Sequence, residues 1–325
     1  MQKISVIVPC FNEEEVLPKL FERLNAVAQN WGMDWEIICV DDGSQDRTWQ
    51  LLKAQNLRDD RWRGLSFARN FGHQTAVSAG LHFAAGDAVV VIDADLQDPP
   101  EEIARLVGKW REGYEVIYAV RQKRKEGPAK KFCYWAFYRL MARLVPFEMP
   151  LDSGDFCLLD RRVVDVIKAM PERNRFVRGL RAWSGFRQTG LTYERDARLA
   201  GEPKYNLQRL VKLALDGLFS FSVVPLRVTT YLGLAVSLCA FFGVVFTLIQ
   251  KLFAAQFARI GLAPGAGFPT IVISVLFLGG VQLICLGILG EYIGRIYDEV
   301  KGRPLWIVRD SAGLAPAGNN LKITA

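Results

Sequence analysis

Two long uncharged stretches constrain this chain more than any other feature. Twenty-three uncharged residues separate Arg227 from Lys251, and a second uncharged run extends from Ile260 to Gly290. At 1.5 Å per residue the first run makes roughly 35 Å of helix, which is enough to cross a bilayer. A proline and several glycines early in the second run place the start of its span near Phe268. The pattern predicts a two-span membrane hairpin, and a buried hairpin in a soluble protein is the alternative.

The distribution of positive charge predicts how this hairpin is oriented. Lysines and arginines are dense before Arg227 and after Glu291, whereas the connection between the spans has only Lys251 and Arg259. The positive-inside rule therefore places both termini in the cytoplasm. The formal net charge of +7 fits an anionic membrane surface or phosphorylated ligands. Nucleic acid is disfavoured as a partner, because the basic residues adjoin aromatic residues and spans and not a recognition helix.

A basic and aromatic segment precedes the spans. Its basic residues are followed directly by the aromatic-rich run at 132–138, a combination that suits a membrane interface. The alternative is a solvated charge run before an ordinary core helix. Residues 207–221 are amphipathic and could lie along the bilayer surface. The basic residues are Arg121, Lys123, Arg124, Lys125, Lys130 and Lys131.

The first two hundred residues alternate strand-like and helix-like segments. Strands are predicted at 4–9, 35–40, 64–67, 88–93 and 116–120, and helices at about 15–31, from 46, at 72–84, from 99 and at 161–170. This alternation predicts a doubly wound, mainly parallel sheet. No GxGxxG follows the first strand and no GxxxxGK[ST] occurs anywhere, which argues against a dinucleotide enzyme and against a P-loop NTPase.

Two carboxylates at the end of the central strand are the leading candidates for a metal site. The apolar run Val89–Ile92 leads into Asp93 and Asp95. Alternate residues of a strand point the same way, so these two carboxylates can converge on one hard cation at the carboxyl edge of the sheet. Mg²⁺ or Mn²⁺ held in this way accepts phosphate oxygens in its remaining positions, which suits a nucleoside diphosphate. A solvated turn after a strand is the alternative.

Cysteine and histidine content excludes some other sites. The six cysteines are scattered without CxxC spacing, and we expect them to be reduced and structural. The chain has only two histidines, His73 and His82, which argues against a histidine-based metal site. The N-terminal residues do not resemble a cleavable signal, because strand-like sequence begins at Ile4 and acidic residues follow.

Four motifs in this order resemble the family 2 glycosyltransferases of the GT-A fold. They are Val-Ile-Val-Pro-Cys-Phe-Asn-Glu at 6–13, Val-Asp-Asp-Gly-Ser at 40–44, Asp-Ala-Asp-Leu-Gln-Asp-Pro-Pro-Glu at 93–101 and Asp-Ser-Gly-Asp-Phe at 152–156. Within the family the chain is most similar to the polyprenyl-phosphate glycosyltransferases. Residues 289–297 and 301–304 resemble the end of the two-span bacterial members, so the resemblance covers the chain to about Val308.

The resemblance implies a role for each matching position. Asp93 and Asp95 would bind the donor diphosphate and its metal, Gln97 would lie near the sugar, and Asp155 is the candidate base. Arg198 and Lys204 match a phosphate-clamping loop. Cys157 departs from the arginine expected after Asp-Phe, and Pro203 stands where serine is common. The positions expected to hold uracil and ribose are Pro9, Phe11, Asn12, Glu13, Asp41 and Asp42, and Arg121 with the basic run beyond it would receive the acceptor phosphate.

The implied protein is an α/β enzyme with a GT-A (Rossmann-like), mainly parallel sheet domain, amphipathic interface helices and two transmembrane helices. We expect a glycosyltransferase domain at 1–206, a juxtamembrane helix at 207–227, the hairpin at 228–291 and a cytoplasmic tail at 292–325. The expected location is the bacterial inner (cytoplasmic) membrane. The spans contain glycines through which copies of the chain could pack together.

The implied reaction is inverting transfer of a sugar from a UDP-sugar, with UDP-glucose preferred, to polyprenyl (undecaprenyl) phosphate. GDP-mannose or another nucleotide sugar is the alternative donor, and a non-catalytic, membrane-anchored nucleotide-sugar binder is the alternative from another class. A processive polysaccharide synthase is disfavoured, because Gln188 does not begin a Gln-x-x-Arg-Trp motif and only two spans are predicted. A hydrophilic acceptor would leave the basic aromatic segment without a purpose.

Overall fold

The computed structural model describes residues 2–121, 153–173, 175–194, 219, 222–259 and 267–314. The chain divides into two compact units. The first contains residues 1–217 and 301–325, and the second contains residues 218–300.

The strands of the first unit form one sheet of eight strands in the order β7-β5-β6-β4-β1-β2-β3-β8. The bounds are β1 Lys3–Cys10, β2 Asp34–Asp41, β3 Trp62–Phe67, β4 Ala88–Val91, β5 Val116–Arg121, β6 Ser153–Asp160, β7 Gln188–Tyr193 and β8 Val308–Ala312. The inner strands β3, β2, β1 and β4 are parallel, and β6 and β8 run antiparallel to their neighbours.

The helices of this unit follow the strands, as the alternating sequence pattern predicts. They are α1 Leu17–Ala28, α2 Thr48–Arg58, α3 His73–Phe83, α4 Ile103–Arg111 after a short 3-10 turn at Pro100–Glu102, α5 Arg161–Ala169 and α6 Val177–Trp183. The second unit has α7 Val224–Leu252, α8 Ala254–Arg259 and α9 Phe268–Val300.

The core explains why the inner strands are apolar along their whole length. Both faces of β1 are covered, and its residues from Ile4 to Cys10 are buried. One face packs against α1 and α4 through residues such as Leu20 and Leu106, and α3 packs against β1 and β2. A parallel strand covered on both faces needs apolar side chains at every position. The α/β, mainly parallel architecture predicted from the sequence is confirmed.

Two expectations about chain segments differ from the structure. The predicted strand 88–93 ends at Val91, because pairing with β1 stops at Ile7 and the chain then turns. The Asp-x-Asp pair therefore lies in a loop and not on alternate strand positions. In addition, part of the segment expected to be a cytoplasmic tail, 292–325, forms β8 on the edge of the sheet, and α9 continues to Val300.

The second unit is apolar and exposed. Helices over Val224–Leu252 and Ile273–Val300 are long and apolar enough to cross a membrane, and neither is buried within the chain. The predicted start of the second span near Phe268 agrees with the start of α9. The hydroxyl of Tyr292 donates a hydrogen bond to the carbonyl of Ser222 at 2.7 Å. The predicted amphipathic segment 207–221 lies almost entirely outside the described residues.

Candidate functional site

The carboxyl edge of the parallel strands brings two loops together, one after β1 and one after β2. The amide of Asn12 donates to Ser44 Oγ at 2.9 Å, and Asn12 Oδ1 accepts from the amide of Gln45 at 2.9 Å. The amide of Glu13 donates to Thr48 Oγ1 at 2.9 Å. Asn12 has φ +54°, a left-handed conformation that asparagine tolerates better than most residues. Side chains from the two motifs therefore fix the shape of one surface.

The four predicted nucleotide positions in the first motif differ in accessibility. Pro9 is buried at the end of β1, whereas Phe11 and Asn12 are exposed and Glu13 is partly buried. Phe11 is 36% exposed. Their binding of uracil and ribose stays a prediction, with Phe11 and Asn12 the most accessible of the four.

The acids of the Asp-Asp-Gly-Ser motif are buried and already bonded. Asp41 is 0% exposed, with Oδ1 accepting from the amide of Ser44 at 2.9 Å and Oδ2 accepting from Ser66 Oγ at 2.6 Å. Asp42 accepts from the amides of Phe71 and Gly72 at 2.7 and 2.9 Å. Burial raises the pKa of Asp42 above its ordinary value, against the effect of these amides. Both side chains hold neighbouring loops, so a role towards a nucleotide would act through those loops.

Asp93 is the least satisfied carboxylate of the described site. Its Oδ1 is shielded from water and has no hydrogen-bond partner in the described part of the chain. His73 Nε2 lies 3.7 Å from this oxygen. Burial raises the pKa of Asp93 to about 6, although the charge of His73 opposes the rise, and nearby Asp155, Asp98 and Asp95 add to it. An oxygen in this state is ready to receive a cation.

The loop that carries Asp93 is held in a strained conformation. Asp95 Oδ1 accepts from the amide of Gln97 at 3.1 Å, and Leu96 between them has φ +55°. That conformation costs a leucine about 1 kcal/mol or more, so the surrounding structure must impose it. The hydroxyl of Tyr193 makes a short hydrogen bond to Asp98, which is almost fully buried. The strand β7 therefore anchors this loop.

A cluster of charged residues lies beside Asp93. Asp155 on β6 receives both nitrogens of the Arg178 fork, with Nε–Oδ1 at 2.7 Å and Nη2–Oδ2 at 2.9 Å. His73, the first residue of α3, has Nε2 at 3.3 Å from Asp155 Oδ2. Gln74 is 3.5 Å from both oxygens and accepts from the amide of Val177 through Oε1. His73 thus lies between the two carboxylates.

The electrostatics of this cluster bear on the candidate base. Burial opposes ionisation of Asp155, but Arg178 and His73 outweigh it and hold the pKa of Asp155 well below its ordinary value. Burial also opposes the charged form of His73, yet the bond to Asp155 and the charges of both acids raise the pKa of His73 to about 9. A carboxylate with a depressed pKa is a weak base. The geometry therefore favours an orienting role for Asp155.

Sequence reasoning missed His73, Gln74 and Arg178 as members of this site. An arginine-rich stretch at 173–181 was visible, but nothing local in the sequence indicates which arginine meets Asp155. From the sequence, His73 entered only the argument against a histidine-based metal site. Its place directly after a strand and its loop, at the carboxyl edge of a parallel sheet, is the signal that could have identified it.

The residues present fit a divalent cation bound together with a substrate. Among the described residues, no group of three or more His, Cys, Asp or Glu could hold a metal ion by itself. Two carboxylates, Asp93 and Asp95, with an unbonded buried oxygen on Asp93, are a donor set typical of Mg²⁺ or Mn²⁺ whose other ligands are water and phosphate. A cation held here would need further ligands from water or from a bound phosphate group.

Several predicted site residues are not described. Arg198, Lys204, the basic run after 121 and the aromatic run at 132–138 lie outside the described residues. Arg121 ends β5, and only its backbone is described. Their proposed phosphate contacts stay predictions.

Cys157, which stands where an arginine was expected, has an arginine nearby. Burial raises the pKa of the Cys157 thiol, and the neighbouring guanidinium of Arg181 opposes the rise. Arg181 is 2% exposed and lies over the ring of Tyr118 at 5.5 Å. A guanidinium from α6 therefore occupies part of the space beside this position of β6. Five described cysteines, Cys157 among them, are free.

Comparison with family models matches both parts of the chain. The model described as Glycosyl transferase family 2 matches residues 5–167, and the model described as GtrB C-terminal hairpin matches residues 224–296. The first match contains every described acid of the site discussed above, and the second contains α7 and all of α9 except its last four residues.

Similar proteins cover nearly the whole chain. An uncharacterized glycosyltransferase, YkcC, from Bacillus subtilis is 46% identical over 95% of this chain and 94% of the relative. The bactoprenol glucosyl transferase of Shigella phage SfV is 42% identical, over 95% of this chain and 98% of the relative. Among solved structures, mannosyl-3-phosphoglycerate synthase from Rubrobacter xylanophilus is 20% identical with a TM-score of 0.46, over 66% of this chain and 71% of that one.

Proposed function

Because the chain belongs to the family 2 glycosyltransferases, with a GT-A-like catalytic unit and a GtrB-type C-terminal hairpin, we propose that it glycosylates a polyprenyl phosphate. The donor is a UDP-sugar, with UDP-glucose preferred, and the products are polyprenyl-phosphate sugar and UDP. Undecaprenyl phosphate is the expected acceptor. Relatives named bactoprenol glucosyl transferases, 40–42% identical over most of the chain, support both the sugar and the acceptor.

The observation that carries the proposal is the unsatisfied carboxylate at the sheet edge. Asp93 keeps a shielded oxygen without a hydrogen-bond partner in the described chain, whereas Asp41, Asp95 and Asp155 nearby each accept hydrogen bonds. Leaving an anion in this state costs free energy, and a bound cation removes that cost. Asp93 and Asp95 would hold the metal, which neutralises charge that develops on the leaving diphosphate.

The transfer proposed is inverting and consists of one displacement. An oxygen of the acceptor phosphate forms a bond to the anomeric carbon of the sugar, and the bond from that carbon to the diphosphate breaks on the opposite side. The electron pair of the broken bond leaves with UDP. A phosphate monoester with a second pKa near 6 is largely a dianion at pH 7, so the attacking oxygen does not need a base. Asp155 therefore orients His73 and Arg178 around the reacting centre.

The two apolar helices fit an acceptor that is itself a lipid. In our proposal both termini and the catalytic unit are cytoplasmic, at the inner face of a bacterial membrane, as the excess of Lys and Arg outside the hairpin favours. The basic and aromatic segment at 121–138 would meet the acceptor phosphate at the membrane surface.

The test is a donor panel with the purified full chain in lipid nanodiscs. Labelled UDP-glucose, UDP-N-acetylglucosamine and GDP-mannose are each incubated with undecaprenyl phosphate and Mg²⁺ or Mn²⁺. We expect chloroform-soluble, acid-labile label from UDP-glucose, and loss of the label when EDTA is added. Transfer from GDP-mannose instead would change the proposed donor and leave the proposed acceptor unchanged. Nucleotide-sugar binding without transfer would identify a non-catalytic binder and overturn the proposed reaction.

A further inference from the structure

The segment after the second long helix contributes an edge strand to the catalytic unit. Strand β8 pairs antiparallel with β3, with Ser66 opposite Asp310 and Phe67 opposite Val308. Just before it, Ile307 accepts a hydrogen bond from the amide of Ala68 at 2.9 Å, and the Trp306 ring stacks on Phe67 at 6.4 Å and 16°. The segment therefore begins at the carboxyl edge of the sheet, beside the loop that leads to α3.

Asp310 of β8 anchors the strand to the neighbouring helix α2. The carboxylate of Asp310 accepts from Trp49 Nε1 at 2.9 Å, and its second contact is Lys53 Nζ at 3.4 Å. Both partners lie on α2, which covers this end of the sheet. These contacts fix where β8 lies, and they do not reach the acids of the carboxyl edge.

The neighbouring residue, Arg309, reaches those acids. Its Nη2 donates to Ser66 Oγ at 2.9 Å and lies 3.8 Å from Asp41 Oδ2. Ser66 uses its own proton to bond Asp41 Oδ2 at 2.6 Å. The arginine thus supplies positive charge to a carboxylate that is 0% exposed, while 49% of the Arg309 side chain stays exposed. Within the described chain, Arg309 is the cation that pairs with Asp41.

The charge of Arg309 matters because Asp41 organises the nucleotide edge. Asp41 Oδ1 holds the amide of Ser44, and Ser44 Oγ in turn accepts from the amide of Asn12. The contacts therefore run without a gap from Arg309 through Ser66, Asp41 and Ser44 to Asn12. Loss of the Arg309 charge would remove a favourable interaction with the buried Asp41 carboxylate, and the bonds from Asp41 to the loop would then weaken.

We propose that Arg309 is a positioning residue for the nucleotide part of the donor, acting through Ser66 and Asp41 on the loop at 41–44 and on Asn12. The inference rests on the proposed function, which puts a nucleoside diphosphate sugar at this edge. It assigns a part of the donor site to a strand that lies beyond both membrane helices in sequence. The chemistry served is recognition of the nucleoside diphosphate, and not the displacement at the sugar.

The experiment compares three variants of the full chain in nanodiscs with the wild type. Arg309→Gln removes the charge, Arg309→Lys keeps it, and Asp310→Asn weakens the docking of β8 without touching Asp41. The measurements are the Kd for UDP by calorimetry, KM for UDP-glucose and kcat. We expect Arg309→Gln to raise Kd and KM about tenfold, the size of losing a charged hydrogen bond, with kcat within about twofold. Arg309→Lys recovers part of the loss, and Asp310→Asn leaves Kd and KM within about twofold of the wild type.

The outcomes separate this inference from the proposed function. Unchanged UDP binding in Arg309→Gln overturns the inference and leaves the transferase standing. Equal losses in Arg309→Gln and Asp310→Asn also overturn it, because they indicate that the strand is needed only for docking. A wild type that binds no UDP contradicts the proposed function itself. Thermal melting of each variant is measured alongside, and if Arg309→Gln fails to fold, the Arg309→Lys and Asp310→Asn pair decides between positioning and docking.

Discussion

Two carboxylates at opposite edges of the same sheet, Glu36 and the partly buried Asp93, differ in how fully their hydrogen bonds are satisfied. Glu36 on β2 is 1% exposed and receives Ser5 Oγ at 2.6 Å, the amide of Ala85 at 2.8 Å, Lys3 Nζ at 2.8 Å and Arg63 at 2.9 Å. Asp93, after β4, keeps one shielded oxygen with no hydrogen-bond partner in the described residues. The first lies towards the amino edge of the strands and the second at the carboxyl edge.

Their pKa values move in opposite directions for this reason. Burial would raise the pKa of Glu36, but the bonds from Lys3 and Ser5 outweigh burial and lower it. At Asp93 burial dominates and raises the pKa to about 6. A carboxylate whose oxygens all have hydrogen-bond partners stabilises the fold. A carboxylate with an oxygen that lacks a partner can bind a ligand there, at a cost in stability. The difference separates structural acids from functional acids within one sheet.

The largest expected effect comes from removing the Asp93 carboxylate. We expect Asp93→Asn to lower turnover on the order of a thousandfold, because the metal proposed to neutralise the leaving diphosphate would lose a carboxylate ligand. Melting temperature should stay equal or rise, since the variant no longer buries a poorly compensated anion. Label transfer to the lipid fraction and thermal melting measure the two quantities. Asp87→Asn, at an exposed acid just before β4, is the control, and near-normal turnover in Asp93→Asn would contradict the metal site.

Asp155 lies beside Asp93, but both of its carboxylate oxygens have partners, as in Glu36. Asp155→Asn should destabilise the catalytic unit by about 3 kcal/mol, since it removes the carboxylate charge that pairs with the Arg178 guanidinium. Activity should fall together with stability. Chemical denaturation and turnover of the same samples test this, with the exposed Asp165→Asn as control. A variant that is inactive but fully stable would instead indicate a dedicated base.

Substitution of Glu36 should lower stability and leave turnover normal, the opposite of the result expected for Asp93. We expect Glu36→Gln to lower the free energy of unfolding by about 2 kcal/mol, because Lys3 and Arg63 lose the charge between them. Turnover per folded molecule should stay normal, since Glu36 is far along the strands from the carboxyl edge. Asp34→Asn, at an exposed acid on the same strand, is the matched control and should change stability by less than about 0.5 kcal/mol. A large loss of turnover at full stability would contradict a purely structural role for Glu36.

The smallest expected effect is a pH dependence of the stability that Glu36 contributes to the folded state. The pKa of Glu36 is lowered in the folded state from an ordinary value of 4.5, so its stabilising contribution is present above about pH 4.5 and is lost as pH falls through the folded value. The melting difference between wild type and Glu36→Gln should therefore be constant from pH 7 to about 5 and shrink below 4.5. A difference that grew on acidification would mean that the folded pKa is raised.

Much of the fold was predictable, and the failures have local causes. Apolar runs located the inner strands within a residue or two, because strands covered on both faces admit few polar residues. The end of β4 was placed two residues late, since Ile92 continues the apolar run although pairing with β1 stops at Ile7. The edge strand β8 was missed because Val-Arg-Asp-Ser-Ala carries little apolar pattern and pairs with a segment more than two hundred residues away.

The candidate site was predictable in part. The motif acids were found, and they do line one edge of the sheet. That Asp41 and Asp42 are bonded inside the protein, and that Arg178 and His73 flank Asp155, could not be read from the sequence. Each of these contacts joins segments that are distant in the chain, and their distances depend on how strands and helices pack.

The amino-acid sequence alone determined that this protein alternates strands and helices before a pair of apolar helices, and that acids follow the strands. Local hydrophobic patterning and chain direction are sufficient for those features. Only the tertiary structure decided which acids are saturated and which one keeps an open oxygen, and that a strand from beyond the second long helix returns to supply Arg309. Saturation depends on the number of donors that packing brings within about 3 Å, and residues far apart in the chain provide them.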